Sequence, residues 1–243
     1  MQYYQKINTI FKRDQNPGPN HNHILYGDWT QPEFEALKDL KWEATEKIDG
    51  TNMSYEIVTE EGPFPDETIT RLNINGKTPN AQIPNHLLKA MQEKLTVDKV
   101  LEVFSKPMQN PDSGDGDREM PWKIELFGEG YGMKIQKGGN YIKDHADFIL
   151  FDVRITSTEF GKPIWLTRSA CEDIAQKLGL EIVPFIGYFT LDEAVEYVKK
   201  GFKSRIAQNP DYDAEGLVLR APCGLLTRMG ERIITKIKHC DFY

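Results

Sequence analysis

The order in which helical and strand patterns follow one another limits the fold of this chain more than any other feature of its sequence. Segments with the apolar spacing of helices lie near Gln31–Leu40, Pro84–Leu95, Val97–Phe104, Arg168–Leu178 and Leu191–Phe202. Segments with strand patterns lie near Asn52–Val58, Thr68–Ile74, Lys123–Phe127, Phe148–Ile155, Gly216–Arg220 and Ile233–Lys238. The two kinds interleave without the strand–helix–strand rhythm of a parallel sheet. This order predicts an α+β fold with antiparallel sheets flanked by helices, and no break in composition divides residues 1–243.

Composition excludes several classes of protein. No run of about 18 apolar residues exists for a transmembrane helix, and residues 1–14 lack the apolar core of a secretory signal peptide. The three cysteines form no CxxC pair, which argues against a disulfide framework or a zinc ribbon and favours a reducing, cytoplasmic location. Because 37 acidic residues outnumber 30 basic ones, the net charge is −7. Any nucleic acid must therefore bind at a local basic patch.

Two segments combine charged residues with glycine turns. Residues 46–52 read EKIDGTN, and apolar and polar residues alternate in the strand that follows Lys47 and its Asp-Gly pair. Residues 123–132 read KIELFGEGYG, and their three glycines let the backbone approach a ligand closely. Glu125 and Glu129 share a strand face if the strand extends that far. Taken singly, a surface lysine beside a turn and a strand that ends in glycines explain both segments.

Three further segments read as strands with conspicuous side chains. Residues 148–153, FILFDV, suit a buried strand whose aromatic rings belong to the core or form a platform for a base. In residues 214–220, AEGLVLR, a Glu-Gly pair opens an apolar strand. Alternation in residues 233–238, IITKIK, places Lys236 and Lys238 on one face, where their charges repel. A solvated face is the ordinary explanation, and a phosphate bound between the lysines is the functional one.

In order, the five segments read EKIDGTN, LFGEGYG, FILFDV, AEGLVLR and ITKIK. This series resembles the covalent nucleotidyltransferase superfamily of polynucleotide ligases and capping enzymes, and most of all ATP-dependent RNA ligases of the RNA ligase 2 type. The segment Ile135-Gln136-Lys137 and the opening KINTIFKRD resemble small, phage-like members. The resemblance implies the nucleotidyltransferase fold of ligases, as one adenylyltransferase domain over residues 1–243 without an OB-fold domain.

The resemblance also implies a reaction in three steps. A lysine attacks the α-phosphate of ATP, AMP passes to an RNA 5′-phosphate, and a 3′-OH then seals the strand and releases AMP. ATP and Mg²⁺ or Mn²⁺ are the expected cofactors. RNA with 5′-phosphate and 3′-OH ends is the expected partner. We expect a monomer that does not contact a membrane and that lies in the cytoplasm, or in the host cytoplasm if a phage encodes it. Because the sequence stops soon after ITKIK, we expect weak RNA binding by a patch around Lys134, Lys137 and Lys143, with a helper protein or domain.

Each motif position implies a role. Lys47 matches the nucleophile, which must be activated because a free lysine has a pKa near 10.4. Glu215 is expected to serve the metal and the reacting phosphate, and the α-phosphate is expected to contact Lys236 and Lys238. The remaining predicted contacts of the nucleotide are Glu46 and Asp49 beside the lysine, Glu129 for the ribose, Phe151 for adenine, Asn52 for the later steps and Arg71 for a phosphate. Lys77 is a rival for the role of Arg71. Some members of the family have His where Asp49 stands, which leaves the preferred substrate open.

Other functions remain as alternatives. A DNA ligase or a capping guanylyltransferase uses the same motifs, and labelling with ATP, GTP or NAD would separate them. A non-catalytic module that binds nucleic-acid ends would tolerate loss of Lys47 or Glu215, but both are present. The sequence leaves open whether the RNA substrate is a nick, a tRNA break or a single-stranded end, and which metal is preferred.

Overall fold

A computed structural model describes residues 4–16, 21–64, 68–78, 80–104, 122–136, 141–157 and 163–243. The predicted patch residue Lys137 lies outside them. The strands are β1 Asn8–Thr9, β2 Phe11–Arg13, β3 Ile24–Trp29, β4 Trp42–Lys47, β5 Thr51–Glu61, β6 Thr68–Gly76, β7 Trp122–Gly132, β8 Ala146–Ser157, β9 Pro163–Trp165, β10 Glu181–Ile182, β11 Phe185–Phe189, β12 Gly216–Arg220 and β13 Ile234–Lys238. The α-helices are α1 Pro32–Ala36, α2 Asn85–Lys94, α3 Val97–Phe104, α4 Arg168–Leu178 and α5 Leu191–Lys200. These elements confirm the predicted α+β class.

The described residues divide into two compact units. Unit 1 comprises Gly50–Ile182, and unit 2 comprises Tyr4–Asp49 with Val183–Tyr243. The prediction of a single adenylyltransferase domain over residues 1–243 stays a prediction. No helix among the described residues is long and apolar enough to cross a membrane.

Unit 1 is built on a sheet with the strand order β10-β8-β7-β5-β6, to which β9 is added by pairing with β8. All pairs are antiparallel except β10 with β8. Helices α2, α3 and α4 supply buried residues to the core on one sheet face, where they join Met53, Tyr55 and Ile57 of β5. The alternation of β5 therefore buries its apolar side chains and leaves the polar ones on the other face.

Unit 2 is built on a sheet with the strand order β1-β13-β12-β4-β11. Helix α5 packs its buried residues against this sheet, together with Trp42 and Ala44 of β4. A capping box between Thr190 and Glu193 begins the helix, and Gly201 ends it. Strand β4 was not among the predicted strands. It is central in this sheet, paired with β12 on one side and β11 on the other, and it carries Lys47 as its last residue.

Candidate active site

The two lysines Lys47 and Lys238 flank one glycine on the sheet of unit 2. Gly216 of β12 is the register partner of Lys47 on β4 and of Lys238 on β13. Directly opposite residues of antiparallel strands share a sheet face, so both lysines project from the same side. A Cβ atom at position 216 would lie 2.0 Å from the carbonyl oxygen of Ile237. Glycine is therefore required for the strands to approach this closely between the two lysines.

Glu215 joins the two lysines. Its Oε2 atom lies 2.5 Å from Lys47 Nζ, and its Oε1 atom lies 2.6 Å from Lys238 Nζ. These charge-assisted hydrogen bonds hold one carboxylate between two ammonium groups that are only partly exposed. Burial lowers the pKa of Lys238, but the hydrogen bond and the charge of Glu215 outweigh burial and raise it overall. The three side chains thus form one linked set of charges.

Asp49 belongs to the same electrostatic group. Burial and the negative charge of Glu215 raise the pKa of the Asp49 carboxyl, and the charges of Lys47 and Lys238 only partly offset that rise. Two carboxylates and two ammonium groups therefore balance one another around the end of β4. An anionic ligand that binds the lysines has to compete with Glu215 for them.

Lys236 lies two residues before Lys238 on the same strand face. The pairing of β12 with β13 runs without a register shift from Gly216–Lys238 to Arg220–Ile234. The predicted alternation of β13 is therefore intact, and Lys236, opposite Val218, shares its face with Lys238. The structure brings together Lys47, Asp49, Glu215 and Lys238, with Lys236 farther along the same face.

Glu46 lies on the other face of β4, with Trp42 and Ala44. It is 1% exposed, and its Oε2 atom accepts a hydrogen bond of 2.9 Å from the backbone N–H of Arg205. Burial raises the pKa of Glu46, although hydrogen bonds from Ser204 and Arg205 oppose the rise. Its Oε1 atom has no hydrogen-bond partner among the described residues. The structure therefore separates Glu46 from the lysine face by strand alternation, and its predicted contact with the nucleotide stays a prediction.

Unit 1 carries the second set of predicted residues on the polar face of its sheet. Asn52 of β5 is the register partner of Glu129 of β7, so the two side chains share that face. Strand β7 extends to Gly132, which also confirms that Glu125 and Glu129 have the same parity.

Phe151 reaches the same region through a β-bulge. The β7–β8 ladder pairs Phe127 with Asp152 and then Gly128 with Leu150, which leaves Phe151 as the inserted residue. Its neighbours Leu150 and Val153 belong to the core cluster, whereas Phe151 is only half-buried. The bulge thus places a partly exposed ring two residues beyond Ile149, the register partner of Glu129.

The two rival cations, Arg71 in β6 and Lys77 directly after it, lie at different distances from the Asn52–Glu129 pair. Arg71 is opposite Val58, six residues along β5 from Asn52, or about 20 Å at the rise of a strand. Its Nη1 atom lies 3.8 Å from Glu60 Oε2, and both side chains are exposed. Lys77 directly follows Gly76, which is opposite Met53. The placement therefore favours Lys77 over Arg71 as a cation near Asn52 and Glu129.

Sequence reasoning missed a chain of buried and partly buried charges on the polar face of unit 1. Arg154 of β8 binds Glu125 of β7 with two hydrogen bonds, and Lys123 lies between Glu125 and Glu56. Strand parity placed Glu125 beside Glu129 on one face, but nothing local in the sequence identifies Arg154 as its partner.

The oxygen donors that unit 2 offers to the predicted metal are carboxylates. Among the described residues, no group of three or more His, Cys, Asp or Glu side chains could hold an ion. Glu215 and Asp49 offer carboxylate oxygens in one electrostatic group. Mg²⁺ commonly binds proteins through one or two carboxylates and completes its shell with waters and substrate phosphates. The residues therefore fit a metal that arrives with a nucleotide.

The chain is similar to RNA ligases both in sequence pattern and in fold. A model of the RNA ligase family matches residues 40–238. A Naegleria gruberi RNA ligase mutant with ATP and Mn matches with a TM-score of 0.55 at 19% identity, over 87% of this chain and 52% of that chain. Another mutant of that ligase, with AMP and Mn, gives 0.55 at 18% identity, over 87% and 53%. A third, with ATP and Mn, gives 0.57 at 17% identity, over 98% and 56%.

This likeness confirms the predicted nucleotidyltransferase fold of ligases. The chain spans about half the length of the solved ligases that it matches. No curated protein matches it by sequence.

Proposed function

Because the chain belongs to the RNA ligase family, we propose that it is an ATP-dependent RNA ligase that joins an RNA 5′-phosphate to a 3′-OH. The observation that carries this proposal is the contact of Glu215 with both Lys47 and Lys238 on one sheet face. A lysine nucleophile held beside a second cation and a carboxylate suits attack on a phosphate whose negative charge must be neutralised. The ATP, AMP and Mn of the similar Naegleria ligase structures support the choice of nucleotide.

In the first step, Lys47 Nζ forms a bond with the α-phosphorus of ATP while the bond to the leaving pyrophosphate breaks. The attacking amine must lose a proton, and Glu215 Oε2, 2.5 Å away, is positioned to receive it. Lys238 and Lys236 then face the negative charge that develops on the phosphate.

In the two later steps, the AMP group moves from Lys47 to the RNA end and is then released, and no further ATP is consumed. The 5′-phosphate of RNA displaces Lys47 from the adenylate, which frees the amine and activates the RNA end. The 3′-OH then attacks that 5′-phosphate, and AMP leaves as the new phosphodiester forms. Asn52 is proposed to orient these ends.

The remaining contacts are proposed for the nucleoside. Glu129 accepts hydrogen bonds from the ribose hydroxyls, and Phe151 stacks on adenine with its half-buried ring. Lys77, with Arg71 as its rival, is proposed to contact a phosphate. Glu215 and Asp49 would hold a Mg²⁺ or Mn²⁺ ion, which when bound neutralises phosphate charge.

Incubation with α-labelled ATP tests the proposal. The protein is expected to gain an acid-stable AMP label, and Lys47→Ala is expected to abolish it. Lys41→Ala is the matched control, because Lys41 is an exposed lysine six residues earlier that pairs with Glu193. Labelling from GTP or NAD but not ATP, or an adduct on another lysine, would contradict the assignment.

A panel of ends then identifies the substrate class. Nicked, broken-hairpin and single-stranded RNA with 5′-phosphates are compared with DNA versions. Sealing of RNA by the ATP-treated protein is expected. Lys47→Ala is expected to retain sealing of RNA that already carries a 5′-adenylate, because that step bypasses the lysine. Sealing of DNA alone would identify a DNA ligase, and labelling without any sealing would contradict RNA ligation.

A further inference from the structure

A row of side chains crosses the polar face of the unit 1 sheet beyond the proposed nucleoside contacts. Five register partners on β6, β5, β7, β8 and β9 form it: Asn73, Glu56, Glu125, Arg154 and Trp165. None of them has a role in the proposed reaction. Opposite residues share a face, so the row is continuous across five strands.

Arg154 is the most constrained member of this row. Its Nε and Nη2 atoms each donate a 2.7 Å hydrogen bond to Glu125, and both side chains are about 95% buried. The guanidinium carbon also lies 5.1 Å from the ring centres of Phe127 and Trp165. A planar, bidentate cation that also contacts two rings has little freedom to move.

Lys123 lies beside this row on the same face, and its charge helps to balance the charges of the row. Lys123 Nζ lies 2.6 Å from Glu56 and 3.3 Å from Glu125, so two acidic and two basic side chains alternate along the chain of contacts. A buried ion pair of this kind is costly to break from one side, because the remaining charge loses its partner. The Glu125–Arg154 pair therefore opposes any slip of β7 against β8.

The register that this pair holds decides where Phe151 lies. The bulge falls between the pairs Phe127–Asp152 and Gly128–Leu150. If the ladder continued without a bulge, Gly128 would face Phe151 instead. A Cβ at Gly128 would meet Phe148 of the core at 2.3 Å, which shows that this position faces the core side. The pair therefore fixes the register on one side of the bulge, and the core-facing Gly128, opposite Leu150, fixes it on the other. A slip of one residue on the side of the pair would bring Phe151 opposite Phe127 and displace its ring by about 3.3 Å along the strand.

We propose that Glu125 and Arg154 are positioning residues that lock the β7–β8 register and thereby hold Phe151 where it stacks on the base of the bound nucleotide. The identity of that ligand rests on the proposed function. The pair itself does not touch the nucleotide. It acts through strand β8, which carries the bulge at Phe151 and Arg154 three residues beyond it.

The test measures binding of AMP to the full chain after bound adenylate has been removed with pyrophosphate. Arg154→Lys keeps the positive charge but loses the bidentate hydrogen bonding to Glu125, and Glu125→Gln keeps the shape of the side chain but loses its negative charge. Each is expected to weaken AMP binding about fivefold or more, the lower end of base–aromatic stacking. Binding of ribose 5-phosphate, which has no base, is expected to stay within about twofold of the unaltered protein.

A double-mutant cycle shows whether the pair acts through Phe151. In a Phe151→Ala background, Arg154→Lys is expected to cause no further loss of AMP affinity. Additive losses, or an equal loss of ribose 5-phosphate affinity, would overturn the inference. Tyr55→Phe is the control, because it removes a buried hydrogen bond to the Met91 carbonyl on the opposite face of the same sheet. It is expected to lower the melting temperature without changing AMP affinity.

The two proposals fail in different ways. If the unaltered protein neither binds AMP nor becomes labelled by ATP, the proposed ligase function fails. If it does both and the cycle is additive, the ligase function stands and only the positioning role fails.

Discussion

Glu46 and Lys47 are neighbours in the chain, but strand alternation gives them opposite surroundings. Lys47 reaches a carboxylate on the open face, whereas Glu46 is buried with one carboxylate oxygen that has no hydrogen-bond partner among the described residues. A buried carboxyl of this kind favours its neutral form, because ionisation would place a charge in an apolar environment. Replacing Glu46 by Gln therefore removes the ionisable group and keeps the shape of the side chain.

Glu46→Gln is expected to change how stability depends on pH. Burial raises the folded-state pKa of Glu46 above its ordinary value of 4.5. As pH rises through the window above 4.5, the unfolded chain releases this proton before the folded one does, so the unaltered protein loses stability. Gln cannot ionise, so the difference in melting temperature between the variant and the unaltered protein is expected to shift in favour of the variant as pH rises above 4.5, by about 2–4 °C for each kcal/mol.

Glu56→Gln provides the opposite trend. Burial alone would raise the pKa of Glu56, but contacts with Lys123, Asn75 and Asn73 lower it overall. Its ionised form therefore stabilises the fold above pH 4.5, and this contribution is lost as pH falls through the lowered pKa. The Gln variant is expected to be less stable at neutral pH, with a deficit that shrinks in acid. Parallel pH profiles for the two Gln variants would contradict both assignments.

Phe151→Ala is expected to weaken ATP binding by roughly 1–3 kcal/mol, the range of base–aromatic stacking. Its matched control is Phe148→Ala, three residues earlier on β8, where the ring is fully buried against Tyr55. That variant is expected to lose about 3–5 kcal/mol of stability and to keep its ATP affinity per folded molecule. Thermal melts with and without ATP distinguish them. A Phe151→Ala variant that loses stability but not the ATP-induced shift would show a ring that belongs to the core.

The position of Phe151 could not be predicted from its own segment. Residues 148–151, FILF, are all apolar, so no polar residue marks which face each side chain occupies. The change of parity at the bulge is visible only in the pairing with β7. By contrast, the alternating IITKIK segment indicated the faces of Lys236 and Lys238 in advance, and the regular ladder with β12 confirms them.

At the scale of elements, the candidate site depends on three strands that come from distant parts of the chain. Strand β12 lies between β4 and β13 and brings Lys47 and Lys238 to either side of Gly216. The strands β5, β6, β8, β12 and β13 were predicted to within about three residues, because their alternation or apolar content is strong, whereas β7 runs five residues beyond its predicted end at Phe127. Strand β4 was missed because its six residues, WEATEK, contain three charges, and tertiary pairing on both sides overrides that weak local signal.

Gly216→Ala is expected to damage both the sheet and the site. The added Cβ would lie 2.0 Å from the Ile237 carbonyl oxygen, which belongs to the backbone and cannot move away without displacing β13. We expect a lower melting temperature and loss of the AMP label. Gly224→Ala is the control, because Gly224 has φ of +62° and an added Cβ there would meet no atom within 4 Å. It is expected to cost about 1–2 kcal/mol of backbone strain and to keep the label. Full labelling of Gly216→Ala would show that the close approach of β12 and β13 is dispensable.

For the molecule as a whole, the short contiguous motifs could be identified in the sequence, but contacts between residues far apart in the chain could not. Each predicted site residue lies in a short segment whose residue types suggest chemistry. The carboxylate of Glu46 instead finds its partner 159 residues away at Arg205, and Arg154 finds Glu125 across 29 residues. Such pairs are decided by sheet register and strand order, which one sequence without its fold does not reveal.

The charge of the whole chain limits how it can hold RNA. With a net charge of −7, the protein has no general attraction for a polyanion, so binding must come from a few local phosphate contacts. Lys134 and Lys143 are exposed and lie in the segments that follow β7 and precede β8. We expect them to supply part of a small basic patch for the RNA strand. Three or four phosphate contacts give a slope of roughly −3 when the logarithm of affinity is plotted against that of salt concentration.

Replacing both Lys134 and Lys143 by Ala is expected to weaken RNA binding to a similar degree for every sequence tested and to make the slope shallower by about 0.7–0.9 per lysine. Self-adenylylation is expected to be unchanged, because neither lysine belongs to the Lys47–Glu215–Lys238 group. Lys89→Ala with Lys177→Ala is the matched control: both are exposed lysines that pair along their own helices with Glu93 and Asp173. Titration of 5′-phosphorylated RNA at several salt concentrations measures the slopes. Equal slopes for the test and control variants would show that the RNA phosphates are bound elsewhere on the protein.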